Sequence, residues 1–152
     1  MGSKLRLAIL LSGDGATAQA IIQATKSGHL AGIEPALVVA SHPGAGGIAR
    51  LNWEGIPEED IIILPRQSFP DVHRFGEAIV AACRKRDINL IGQYGWIPVT
   101  PKEVIEAFPN AMINQHPGPL DPGRPDFGGR GMFGRAVHHA RLAFVRRVQR
   151  DF

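Results

Sequence analysis

Five short apolar runs divide this chain, and between them the apolar period changes. The runs are "LRLAILLS" (5–12), "IEPALVVAS" (33–41), "DIIILP" (60–65), "INLIGQYG" (88–95) and "AMINQH" (111–116). Continuous apolar runs of this length suit strands covered on both faces. The segments between them read as helices. "GATAQAIIQATKSG" (15–28) spaces Ala18, Ile21, Ile22 and Thr25 along one face and stops at Gly28. "GGIARLNWEG" (46–55) is a short helix closed by Gly55. "PDVHRFGEAIVAACRKRD" (70–87) carries an apolar stripe of Val72, Phe75, Ile79, Val80 and Cys83. "TPKEVIEAF" (100–108) has Thr100 as N-cap, Pro101 in its first turn and Glu103 at the capping-box position. From about Gly131 the chain reads helical to its end. Strand and helix alternate throughout, which predicts an α/β fold: a doubly wound, mostly parallel sheet with helices on both faces.

With 44% hydrophobic and 20% charged residues in 152, the chain is too apolar to be disordered and reads as one domain over 1–152. No apolar run reaches the length of a membrane span. The start, "MGSKLRLAILLSGDG", loosely mimics a secretion signal, but a glycine-punctuated turn follows where a cleavage site would lie. The single cysteine, Cys83, excludes an internal disulfide and suits a reducing cytoplasm. On its apolar stripe it reads as core packing. Arg135, Arg141, Arg146, Arg147 and Arg150 concentrate positive charge at the end of the chain. No aromatic stacking platform accompanies them, so a solvated helix face is favoured over a nucleic-acid arm.

In doubly wound folds the ligand sits at the carboxyl ends of the strands. "SGDGATA" (12–18) joins the first strand to the first helix there. Gly13 and Gly15 allow a tight turn, and the helix N-terminus then offers free N–H groups to an anion. The stretch also fits the loose dinucleotide pattern G-x-G-x-x-A. That pattern wants an acid at the end of the second strand, which here reads "VVASHP"; Glu34 lies at the strand's other end. A nicotinamide cofactor is therefore the minority reading.

The second stretch is "NAMINQHPGPLDPG" (110–123). Residues i and i+2 of a strand face one side, so Asn114 and His116 are expected to project together beside the crevice. An amide donor suits a developing oxyanion, and an imidazole moves protons near neutral pH. The competing reading makes Asn114 a turn cap and His116 a structural histidine. The other histidines are isolated or, at His138 and His139, diverge on a helix. No spacing of His, Cys and carboxylate suggests a metal site.

Together, "LAILLSGDGATAQAII" and "INLIGQYGWIPVTPKEVIEAFPNAMINQHPGPLDPG" resemble the formyltransferase family, and within it the purine-type enzymes that formylate glycinamide ribonucleotide. The resemblance covers most of residues 5 to 140. It implies transfer of a formyl group from 10-formyltetrahydrofolate to an amine, without a metal. The Asn-x-His-Pro signature maps onto Asn114, Gln115, His116 and Pro117, with Asn114 and His116 stabilising the tetrahedral intermediate. Ser12, Gly13, Asp14, Gly15, Ala16 and Thr17 would hold the acceptor and its phosphate. Tyr94, Trp96, Ile97, Pro98 and Val99 would line the folate pocket, with Trp96, Ile97 and Val99 most exposed to it.

Three departures accompany the resemblance. Asp14, Ala16 and Thr17 stand where the purine-type loop is rich in Asn and Ser. "GRGMFGRAVHHA" (129–140) is similar to the relatives that formylate methionyl-tRNA or amino sugars. The family also orients its histidine with a later Asp; Asp151 is the candidate, in a basic helical setting with no strand before it. That implies a domain truncated at its C-terminus, stable only marginally or in a homo-oligomer. Rival readings are a hydrolase that releases formate from the same donor and a non-catalytic module that keeps the fold.

Overall fold

In a computed structural model, which describes residues 4–120 and 127–149, the chain sorts into two compact units, Met1–Asn114 and Gln115–Phe152. The first unit alternates strand and helix as expected. β1 is Leu5–Leu11, α1 Ala16–Lys26, β2 Ile33–Ala40, α2 Gly47–Trp53, β3 Ile61–Ile63, α3 Val72–Arg84, β4 Leu90–Tyr94 and α4 Lys102–Ala107. β5, Met112–Gln115, crosses into the second unit, whose helix α5 spans Arg135–Val148. The sheet is parallel in the order β3-β2-β1-β4-β5. That order reverses between β1 and β4, where such folds open their ligand crevice.

The strand residues sort by parity. Ala8, Leu10, Leu37 and Val39 pack with Phe75, Ile79, Val80 and Cys83 of α3 and Val104 of α4. Leu7, Ile9, Leu11, Val38 and Ala40 pack on the other face with Ala18 and Ile22 of α1 and Leu51 of α2. A run apolar at every position is what a two-sided burial demands. Pro35 sits inside β2, where it has no N–H to give. The register shifts opposite it, between Leu7 and Ala8, and the parallel pairing then resumes.

Two local expectations are corrected. Thr100 does not cap α4: its hydroxyl accepts from Gln93 Nε2 at 2.5 Å, and Pro101 takes the N-cap position with no side-chain bond. Glu103 instead meets His73 Nδ1 at 2.6 Å, a bond that holds its carboxyl below the usual range. Val72 leaves the α3 stripe and is exposed, because Asp71 caps the helix through Arg74 N–H and Val72 falls in the open first turn. Cys83 is buried, and burial pushes its thiol up to about 12, so it packs as an apolar residue.

Glu54, just past α2, ties that helix to α1. Its carboxylate accepts from Lys26 Nζ at 2.8 Å and from Gln19 and Gln23 Nε2 at 2.7 Å each. Lys26 and then the two amides lower its pKa to about 2. A depressed carboxyl stabilises the fold at pH values above its unfolded pKa, and that contribution is lost as pH falls through the folded one. The α1–α2 contact is therefore expected to loosen between about pH 4.5 and about pH 2. Amide exchange in α1 measures this, and Glu54→Gln flattens that part of the pH dependence.

Candidate active site

The loops that leave β1, β2 and β4 are hydrogen-bonded together at the carboxyl ends of the strands, where folds of this class take their ligands. Ser12 follows β1 directly and is 4% exposed. Its N–H donates to Gly95 O at 3.1 Å, and its hydroxyl accepts from Ile97 N–H at 3.0 Å and Ser41 Oγ at 2.8 Å. His42 Nε2 lies 2.9 Å from Ser12 O, so that nitrogen carries the proton and donates. Ser12 is thus a buried tie rather than an open ligand. His42 is isolated in the sequence, and its place just past the carboxyl end of β2 is the one signal pointing here.

Beyond Ser12 the loop opens. Gly13 and Asp14 are exposed, and Gly15 is buried at the N-cap of α1 with φ +74. Gly15 also touches a second glycine turn: a Cβ on it would stand 2.6 Å from Gly47 Cα, and Gly47 N–H donates to Gly13 O at 3.0 Å. Asp14 Oδ1 accepts from Ala16 N–H at 3.1 Å, placing a carboxylate at the helix N-terminus. Arg50 of α2 supplies the nearby cation, with Nε–H donating to Asp14 O and Nη1–H to Gln19 Oε1, both at 2.8 Å. Arg50 lies in a short helical stretch that carries no motif, so only the fold brings it here. Thr17 is half-buried and Ala16 exposed. Glu34, the dinucleotide pattern's only acid, pairs with Arg6 at 2.5 Å near the start of β2, away from the strands' carboxyl ends.

The loop after β4 divides its residues differently from the expectation. Tyr94 is buried, its ring folded over Gly92, where any Cβ would stand 2.5 Å from the ring. Burial raises its phenol pKa. Trp96 turns inward and stacks on Phe75, with centroids 6.3 Å apart and planes 9° apart. Its Nε1 is buried and has no hydrogen-bond partner among the described residues. Tyr94 thus belongs to the core, and half-buried Trp96 packs against it. Ile97 and Val99 are the outward pair, 62% and 85% exposed, with half-buried Pro98 between them.

Asn114 is exposed in β5, and its side chain makes no hydrogen bond among the described residues. β5 ends at Gln115, so His116 lies past the strand and the two-residue alternation expected to align it with Asn114 does not reach it. His116 is half-buried in the second unit. Nε2 lies 3.2 Å from Met132 O, and Nδ1 lies 3.0 Å from Gly118 O and 3.2 Å from Gly118 N. The main chain thus fixes the ring plane from both nitrogens. Asp151 lies outside the described residues. Among the described residues no group of three or more His, Cys, Asp and Glu side chains is placed to hold a metal, and no helix is long and apolar enough to cross a membrane.

A parallel sheet of this order, with a glycine-rich first turn and an Asn-x-His-Pro exit from β5, is a Rossmann-like α/β fold. The formyl transferase family model matches residues 5–140, and the chain belongs to that family. It is 30% identical over 138 residues to the chloroplastic phosphoribosylglycinamide formyltransferase of Vigna unguiculata, an alignment covering 91% of this chain and 42% of that protein. It is 26% identical over 132 residues to phosphoribosylglycinamide formyltransferase of Haemophilus influenzae, covering 87% and 58%. The structure of glycinamide ribonucleotide transformylase 1 from Symbiobacterium toebii superposes with a TM-score of 0.78 at 25% identity, covering 91% of this chain and 62% of that one. That from Geobacillus kaustophilus gives 0.76 at 29%, covering 90% and 68%. The chain spans less than half the length of the plant relative.

Proposed function

We propose that this chain is a formyltransferase-like domain that carries a formyl group from 10-formyltetrahydrofolate to an amine, with glycinamide ribonucleotide as acceptor. The family match over residues 5–140 carries the reading, and the names of the relatives support the acceptor. The amine attacks the formyl carbon and gives a tetrahedral oxyanion. The Asn114 amide would donate to that oxygen, as would a protonated His116 once its Nε2–H exchanges Met132 O for it. The carbon–nitrogen bond to the folate then breaks, and the proton lost by the amine passes to the leaving nitrogen, with His116 as relay. Ile97 and Val99 offer exposed apolar surface for the pterin. Gly13 to Thr17 would face the acceptor, with backbone N–H groups and Arg50 opposing the charge of Asp14.

Two measurements test this. In a Trp53→Phe background, which removes the 89%-exposed indole, tetrahydrofolate should change the fluorescence of Trp96. Product analysis with 10-formyltetrahydrofolate should show a formylated amine. Formate release independent of an amine would instead indicate a hydrolase, and no response to either compound would leave a non-catalytic module.

A further inference from the structure

We infer that Ser12 is a positioning residue for the loop that follows β4, and governs affinity for the formyl donor rather than for the acceptor; this rests on the folate reading above. The sequence places Ser12 in the acceptor loop, yet it is 4% exposed and its polar groups are turned to protein. Two of its hydrogen bonds bracket Trp96: Ser12 N–H to Gly95 O at 3.1 Å, and Ile97 N–H to Ser12 Oγ at 3.0 Å. Holding residues 95 and 97 on one anchor sets the backbone between them. Trp96 turns onto Phe75, and Ile97 turns out.

The anchor is itself held. Ser41 Oγ meets the Ser12 hydroxyl at 2.8 Å, and His42 Nε2–H donates to Ser12 O at 2.9 Å. The ends of β1, β2 and β4 are thereby joined at one residue beside the switch point. A buried hydroxyl that accepts from a backbone N–H cannot be removed without leaving that N–H unsatisfied. In the alanine variant the Ile97 amide has no acceptor left on the protein side, and the loop relaxes toward water.

Three variants read this out in the full chain. Ser12→Ala should raise amide exchange at Ile97 by about tenfold, as expected for loss of one buried hydrogen bond. It should weaken tetrahydrofolate binding by a similar factor and leave the KM for glycinamide ribonucleotide within about twofold. Ser12→Thr, which keeps the hydroxyl, should restore both quantities. Ser41→Ala removes the other hydroxyl partner and should leave Ile97 exchange unchanged, also serving if Ser12→Ala folds poorly: a rise there as large as in Ser12→Ala overturns the assignment. Unchanged exchange at Ile97 in Ser12→Ala overturns it too, as does a loss of affinity confined to the acceptor. A lower melting temperature with intact folate affinity reduces Ser12 to a stabilising residue and overturns it as well. Faster exchange in Ser12→Ala, with no folate bound even by the parent chain, supports the anchoring and overturns the folate reading alone.

Discussion

A valine at position 15 should destabilise the chain by about 3 kcal/mol or more, enough to remove much of the stability of a domain this size. Two independent costs meet there. Gly15 sits at φ +74, where a β-branched residue is strained by roughly 1–3 kcal/mol. Any Cβ also lands 2.6 Å from Gly47 Cα, and the obstacle is backbone rather than a movable side chain. An ideal Cβ on Gly47 would in turn stand 3.1 Å from Gly15 Cα, so the two turns meet backbone to backbone. Overpacking of this kind adds roughly 1–3 kcal/mol. Urea denaturation followed by circular dichroism measures the sum. Gly13→Ala is the control: nothing lies within 4 Å of its ideal Cβ, so its midpoint should stay close to that of the parent chain. Equal losses at both positions would refute the backbone contact between the two glycine turns.

Asn114→Ala and His116→Ala should each lower kcat for formyl transfer by about 10²- to 10³-fold, while the fold survives. Loss of one preorganised oxyanion donor costs about that much, and loss of a general acid–base group is comparable. Asn114 is exposed and its side chain is bound to no other among the described residues, so its removal leaves no buried partner behind there. His116→Ala additionally frees the carbonyls of Gly118 and Met132, and its melting temperature should fall slightly. If the two groups serve one intermediate, the double variant should lose little more than the worse single one. Fully additive losses would separate their roles. Near-parental kcat in both would remove the catalytic assignment. Steady-state rates with a saturating amine acceptor decide among these.

How far the site was legible depends on the kind of signal each residue carried. Phe75, Ile79, Val80 and Cys83 followed from helical spacing alone and are buried as expected, because a 3.6-residue period admits one face. Val72 shared that spacing and is exposed, since an apolar residue in a first turn can project past the sheet. Thr100 has the capping residue type, but a hydroxyl takes whichever partner is nearer, and Gln93 of β4 is three-dimensional information. Tyr94 and Trp96 were expected to line a pocket. Tyr94 ends β4 and Trp96 lies on the loop beyond; local pattern does not say which way either ring turns, and here Gly92 and Phe75 provide inward seats. Arg50 and His42 carried no motif at all; only the approach of α2 and of the β2 exit to the first turn brings them to the crevice.

By itself the sequence determined the alternation of strand and helix and the parallel pairing it requires, since these rest on period and chain connectivity. It also determined family membership, through residues whose spacing survives without coordinates. The tertiary structure alone decided that Ser12 is a buried tie, that Trp96 faces Phe75 and that His116 is gripped at both ring nitrogens by the main chain. Those outcomes depend on which backbone groups come within about 3 Å of a side chain, a distance that local pattern does not encode.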